Sequence, residues 1–281
     1  MENYKLVRKY IFSEVSCVQH EDYKYIYKLN GYDPKKNKIV YRYIPLKRFY
    51  EYMKNKKMVF VSPAVWEDPY ESKFLAINQK YEKLKGKNIF CLCVTHKKIE
   101  NEAAAWKMYS ANDNSKCAKL YFNLDEFLSR LNEFAKREKK KVYIGNAIYS
   151  FTKKEIDKLD KDGELGNDIF FPKDFSIEHY LSLMCLKRPS FSFENEIRIF
   201  IVDEKEEGDF LDVNNFSYDE NLISGITVSP ILPFSYDDSR KRIYKRLLDL
   251  EFQNIKKDLI DRGLKCKIYK SSLYVKNNRT R

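Results

Sequence analysis

The chain of 281 residues is short of the residues that punctuate and staple a polypeptide: eight glycines, eight prolines and three histidines. No stretch rich in Gly, Ser or Pro divides it, and no internal repeat recurs. It carries no GxGxxG, no GxxxxGK[ST] and no GxSxG. A dinucleotide-binding Rossmann domain, a P-loop NTPase and an α/β hydrolase are therefore disfavoured. His20, His96 and His179 stand in no triad-like context, so acyl transfer through Ser-His-Asp gains no support.

The six cysteines, at positions 17, 91, 93, 117, 185 and 266, form no CxxC and no paired framework. Cys91, Cys93 and His96 in FCLCVTH are the only metal-like cluster, and tetrahedral zinc sites use wider spacings. No metal is expected there. Reduced core thiols point to a cytoplasmic protein. The N-terminal MENYKLVRKYIF lacks an apolar signal core, and no run is long enough to span a membrane.

What is present is charge and aromatic surface. Hydrophobic residues make up 43%, charged residues 33% and aromatic residues 15%, the profile of a globular chain. The net charge is +12. It reads either as a lysine-coated surface or as complementarity to nucleic acid or a phosphate-bearing ligand. From position 240 to 281 there are fourteen Lys/Arg against four Asp/Glu, so the C-terminal helix and tail are the most basic region.

Residues 1–37 are polar and Tyr-rich and read as an N-terminal extension packed on the domain; 38–281 reads as a single domain with a basic C-terminal helix and tail. Strands are predicted at 38–43, 58–62, 88–95, 117–122, 142–151 (with a bulge at Gly145), 193–202, 223–229 and 265–275. Helices are predicted from Pro45, over 101–109, 125–138, around 175–187, and over 237–262. The elements do not alternate as βαβ units. The expected class is α+β, with a mixed or mainly antiparallel split sheet and flanking helices.

In FENEIRIFIV a period of two sets Glu194, Glu196, Arg198 and Phe200 on one face and Phe193, Asn195, Ile197, Ile199 and Ile201 on the other. The charged face is either solvated, with pairs to a neighbouring strand, or part of a cleft. In a cleft, carboxylates about 7 Å apart on a rigid strand suit glycosyl-bond cleavage. One would stabilise an oxocarbenium ion and the other polarise a nucleophile, with Arg198 keeping both ionised. Asp68 and Glu71 in DPYE read as helix caps. The E-x-K of Glu71–Lys73 also admits a metal-dependent nuclease. Trp66 is a core anchor or a cleft wall, and Trp106 and Tyr109 share a helix face. Lys187 and Arg188 either complement a helix dipole or bind pyrophosphate. Arg42 points away from Tyr41 and Tyr43, as a surface residue or a phosphate fork.

A Glu-x-Glu strand, with an Arg strand and a Ser-ending strand far upstream, resembles the ADP-ribosyltransferase superfamily. The resemblance implies an NAD-dependent enzyme with Glu196 as the catalytic carboxylate and Glu194 orienting the acceptor. It also implies that Arg42, Tyr43, Ser62, Trp66, Tyr109 and Arg198 line the NAD site. The spacings depart from that pattern: Ser62 follows Arg42 by only twenty residues and stands in no Ser-Thr-Ser run. From about 40 to 275 the chain also resembles the bacterial family called domain of unknown function 2971. The shared signposts are YRY (41–43), VSPAVWEDPYE (61–71), AAWKMYS (104–110), LKRPSFSFENEIRI (186–199) and GITVSP (225–230). That resemblance implies a toxin or anti-phage effector with an antitoxin or defence-system partner. The alternative class is a non-catalytic protein binding RNA or DNA through its basic C-terminal region.

Overall fold

The computed structural model describes residues 18–30, 32–66, 68, 71, 88–96, 102–109, 116–149, 176–205, 208–229 and 241–271. In chain order the strands are β1 (Val18–His20), β2 (Tyr23–Lys28), β3 (Ile39–Pro45), β4 (Lys57–Val61), β5 (Asn88–Thr95), β6 (Cys117–Asn123) and β7 (Lys141–Asn146). They continue with β8 (Ile148–Tyr149), β9 (Leu186–Lys187), β10 (Glu196–Asp203), β11 (Phe210–Asn214), β12 (Ile223–Val228) and β13 (Lys267–Lys270). The helices are α1 (Leu46–Asn55), α2 (Glu102–Tyr109), α3 (Leu124–Glu138), α4 (Ile177–Leu183) and α5 (Lys241–Asp261). The class is mixed α and β, and the pairing is mostly antiparallel. Among the described residues no helix is long and apolar enough to cross a membrane.

The chain divides into two compact units: Met1–Asn37, Val59–His96 and Leu128–Val213 form the first, and Lys38–Met58, Lys97–Phe127 and Asn214–Arg281 the second. In the first, strands run β1-β2-β7-β10-β5, and β4 reaches β5 at Val61↔Cys91. Strand β10 is central and antiparallel to both neighbours. Ile197, Ile199, Phe200 and Ile201 have no exposed surface. In the second, strands run β3-β6-β12-β13, antiparallel except for the parallel β12–β13 pair.

Local chemistry accounts for these elements. Pro45 precedes α1, which buries Leu46, Phe49 and Tyr52 on one face, and Lys56 ends it in the left-handed region at φ 48°. Helix α3 carries Asp125 and Glu126 in its first turn and Lys136 and Arg137 in its last, matching the helix dipole. Helix α4 starts with a reciprocal cap: Ser176 Oγ accepts from the His179 amide, and His179 Nδ1 accepts from the Ser176 amide.

Within the N-terminal extension, residues 18–28 form β1 and β2, and β2 pairs in parallel with β7 through Ile26↔Val142. Several expectations are corrected. The strand predicted from Phe193 begins at Glu196, because Pro189–Glu194 is a 3-10 helix and Asn195 takes φ 45°. Glu194 is therefore not on the strand with Glu196 and Arg198. The helix predicted around 175–187 ends at Leu183, and Leu186–Lys187 is a strand. No bulge interrupts β7 at Gly145: the register with β10 runs unbroken, with Gly145 opposite Arg198. The glycine is needed for space, since a Cβ there would stand 3.0 Å from Leu29 Cβ and 3.4 Å from Cys185 Sγ. Strand β11, not expected, buries Leu211 and Val213 in strict alternation.

Candidate functional site

The first unit brings Glu194, Glu196 and Arg198 together, buried rather than on an open face: Arg198 is 1% exposed, Glu194 3% and Glu196 7%. Strand β10 supplies Glu196 and Arg198, and the end of the 3-10 helix supplies Glu194. The short parallel β8–β9 ladder, Tyr149↔Lys187, delivers Lys187.

Lys187 Nζ lies 2.6 Å from Glu194 Oε2, 3.2 Å from Glu196 Oε2 and 3.7 Å from Glu71 Oε1. Arg198 Nη2 donates to Glu71 Oε1 at 2.5 Å and to Glu196 Oε2 at 3.0 Å, and Nε donates to Glu196 Oε2 at 3.2 Å. Arg198 Nη1 donates to the Met184 carbonyl, just past α4. The Trp66 ring lies 4.4 Å from the guanidinium carbon, at cation–π distance. Tyr149 Oη accepts from the Glu196 amide at 2.8 Å. At the edge of the cluster Arg188 holds Asp68 Oδ2 through Nε at 3.1 Å and Nη2 at 3.0 Å.

Burial works against every one of these charges, and the pairing decides which survive. Burial raises the Glu196 carboxyl, but Arg198 and Lys187 outweigh it and hold it at about 2. Burial also raises Glu194, and there it prevails over Lys187, so this carboxyl binds its proton more tightly than a free one. Burial lowers Lys187, yet Glu196, Glu71 and Glu194 outweigh it and raise its pKa. Three carboxylates face two cations, so the fully ionised cluster carries one excess negative charge.

Ser62 caps the turn Pro63–Val65, its Oγ accepting from the Ala64 amide at 3.3 Å. Arg42, in the second unit, donates through Nη1 to Met58 Sδ at 2.8 Å and stands 5.9 Å from the Tyr52 ring. Tyr43 stacks on Tyr109 at 5.4 Å and meets Trp106 edge-on at 5.0 Å. Arg42 and Tyr43 thus point to opposite sides of β3, as the alternation requires.

No family model, curated protein or solved structure matches the chain.

Sequence reading set Asp68 and Glu71 down as caps or nuclease carboxylates. The fold pairs both with guanidinium groups, Asp68 with Arg188 and Glu71 with Arg198. It missed Tyr149 and the part Lys187 plays between Glu194 and Glu196. For Tyr149 no local signal exists. For Lys187 the signal was a lysine seven residues before Glu194, on a segment read as helix rather than strand. Cys91 and Cys93 do share a side of β5, with sulfurs 3.9 Å apart. Among the described residues no group of three or more His, Cys, Asp or Glu could hold a metal ion.

Proposed function

We propose that this charge cluster is the reactive centre of an NAD-consuming ADP-ribosyltransferase. One observation carries the reading: Glu194 and Glu196 lie 2.6 and 3.2 Å from the same Lys187 ammonium, and Arg198 holds Glu196 as well at 3.0 Å, which splits the environments of the two carboxylates. Such a split assigns an electrostatic role to one carboxylate and a proton-carrying role to the other. The excess negative charge of the cluster fits a substrate that becomes cationic as it reacts.

Glu196 would face the positive charge that develops on the nicotinamide ribose as its C–N bond breaks and the bonding pair leaves with nicotinamide. Glu194 would take the proton released when the acceptor oxygen or nitrogen bonds to that ribose carbon. Nicotinamide, the ADP-ribosylated acceptor and one proton balance the reaction. Arg198, Glu71 and Trp66 position Glu196. Arg42, Tyr43 and Tyr109 belong to the second unit, and a role for them at NAD is implied by the resemblance alone. The finer expectations belong to the same proposal: an ADP-ribosyltransferase-like split sheet, membership of the domain of unknown function 2971 family, a cytoplasmic effector role and a defence-system partner.

The test uses purified protein and NAD labelled in the adenosine half, with separated protein, RNA and DNA fractions of a bacterial lysate. Nicotinamide release and label transfer are both followed. Wild type should do both, and Glu196→Gln should lose release by about 10²-fold or more. Glu194→Gln should keep release but transfer poorly. No release in any fraction would sink the proposal.

A further inference from the structure

In the second unit one face of the sheet carries a group of tyrosines, buried at Tyr43, Lys119 and Thr227 and open toward Tyr269 and Lys267. The other face is the apolar one: Val40, Leu120, Phe122, Ile226 and Val228 are at most 2% exposed. The tyrosine face has two register rows. Tyr41, Tyr121, Gly225 and Lys267 lie side by side across β3, β6, β12 and β13, and Tyr43, Lys119, Thr227 and Tyr269 form the next row. These eight positions hold two lysines and no carboxylate.

The rings form a continuous row. Tyr41 meets Tyr121 edge-on at 5.1 Å, and Tyr121 runs nearly parallel to Tyr269, 20° apart at 6.2 Å. Gly225 permits this. A Cβ there would stand 3.1 Å from Tyr121 Cδ2 and 3.3 Å from Tyr269 Cε2, so both rings lie down over β12 where a side chain would otherwise rise. Tyr121 Oη is tied to Thr227 Oγ1 at 2.6 Å, which fixes the central ring. Lys119 Nζ sits within 6.0 Å of the Tyr41, Tyr43 and Tyr121 ring centres. Helix α2 covers Tyr43, whereas Tyr269 is 45% exposed, Lys267 is exposed, and Tyr41 and Tyr121 are half-buried.

We infer that the row Tyr41–Tyr121–Tyr269, with Lys267 beside it, is a stacking platform for a single-stranded nucleic acid. Flat, fixed aromatic faces on a sheet accept unpaired bases without regard to sequence, and lysines at the rim meet the phosphates. A duplex hides its base faces and gains nothing from the rings. The charge agrees: the chain carries +12, and Lys276, Arg279 and Arg281 follow β13 in sequence. The inference stands on the second unit alone and holds whether or not NAD is consumed. It places the binding surface on the sheet, where charge counting pointed only to the C-terminal region.

The full-length protein is titrated, at low salt, against fluorescently labelled 12-nucleotide single strands of DNA and RNA and against a 12-base-pair duplex, with anisotropy as the readout. Single strands should bind more tightly than duplex. Tyr269→Ala should weaken single-strand binding about tenfold while Tyr269→Phe keeps it, since stacking needs the ring and not the hydroxyl. Lys267→Gln should lower the slope of log K against log salt by about 0.7. Tyr269 is half in solvent, so its variants should fold, and circular dichroism checks this. Equal or tighter duplex binding, no single-strand binding, or undiminished binding by Tyr269→Ala would each overturn the inference.

Discussion

Arg198 folds back along its own strand onto Glu196, with Nε and Nη2 3.2 and 3.0 Å from the same carboxylate oxygen. The second donor on Nη2 is spent on Glu71 and Nη1 on the Met184 carbonyl. One guanidinium therefore fastens three separate pieces of chain. Replacing Arg198 by Leu would leave Glu196 and Glu71 with Lys187 alone. Urea unfolding should show a loss of about 3–5 kcal/mol. Arg198→Lys should recover only part of it, because an ammonium lacks the planar fork.

Glu194 and Glu196 should behave oppositely on neutralisation. Glu196→Gln removes one of the two carboxylates that both cations contact, Glu71 being the other, and should cost about 3–5 kcal/mol at pH 7. Glu194→Gln removes the excess charge, leaves two carboxylates for two cations, and should stay within about 1 kcal/mol of wild type. Equal losses in the two variants would show that the burial cost of Glu194 has been misjudged.

Acid stability follows from the same pair. The Glu196 carboxyl sits at about 2 in the folded chain against 4.5 as a free group, so the folded chain binds fewer protons in that window. Its stabilisation is full above about pH 4.5 and disappears as the pH falls toward 2. Glu194, raised in the folded chain, runs the other way: it costs stability above its folded pKa, and acidification relieves that cost. Urea midpoints measured between pH 6 and pH 2.5 should fall less steeply for Glu196→Gln than for wild type.

Gly145 faces Arg198 across the ladder, and Leu29 Cβ would stand 3.0 Å from an added methyl. That atom is fixed to the backbone and cannot swing aside. Gly145→Ala should destabilise by about 1–3 kcal/mol and lower the thermal midpoint.

Cys117 and Cys185 are buried, and burial pushes both thiols up to about 12. Neither should react with iodoacetamide at pH 8 in the native protein, while both should react fully in urea. Peptide mass mapping distinguishes the two states.

Much of the scaffold was legible because it is written in short-range periodicity. The NIFCLCVT strand spans Asn88–Thr95 as read, and the amphipathic helix predicted over 125–138 is α3. The misses differ in cause. YKYIYK in β2 alternates, but its one fully buried residue is Ile26, so it looked like polar surface. It is a strand because β7 pairs with it, a contact across more than a hundred residues. FLDVN in β11 alternated cleanly enough to be found.

By itself the sequence determined that Ile197, Ile199 and Ile201 would turn inward on a strand, and that Arg42 would oppose Tyr41 and Tyr43. Side-chain alternation is a property of the extended backbone and needs no partner. Only the tertiary structure decided that the charged side of β10 would also be buried. Its partners arrive from elsewhere: Lys187 on a two-residue strand paired with Ile148–Tyr149, Glu71 from 127 residues earlier, and Trp66 from the turn after β4. Ion pairs form between groups that chain folding brings close, whatever their separation in sequence. Whether a glutamate meets water or an arginine is therefore settled by packing, not by local pattern.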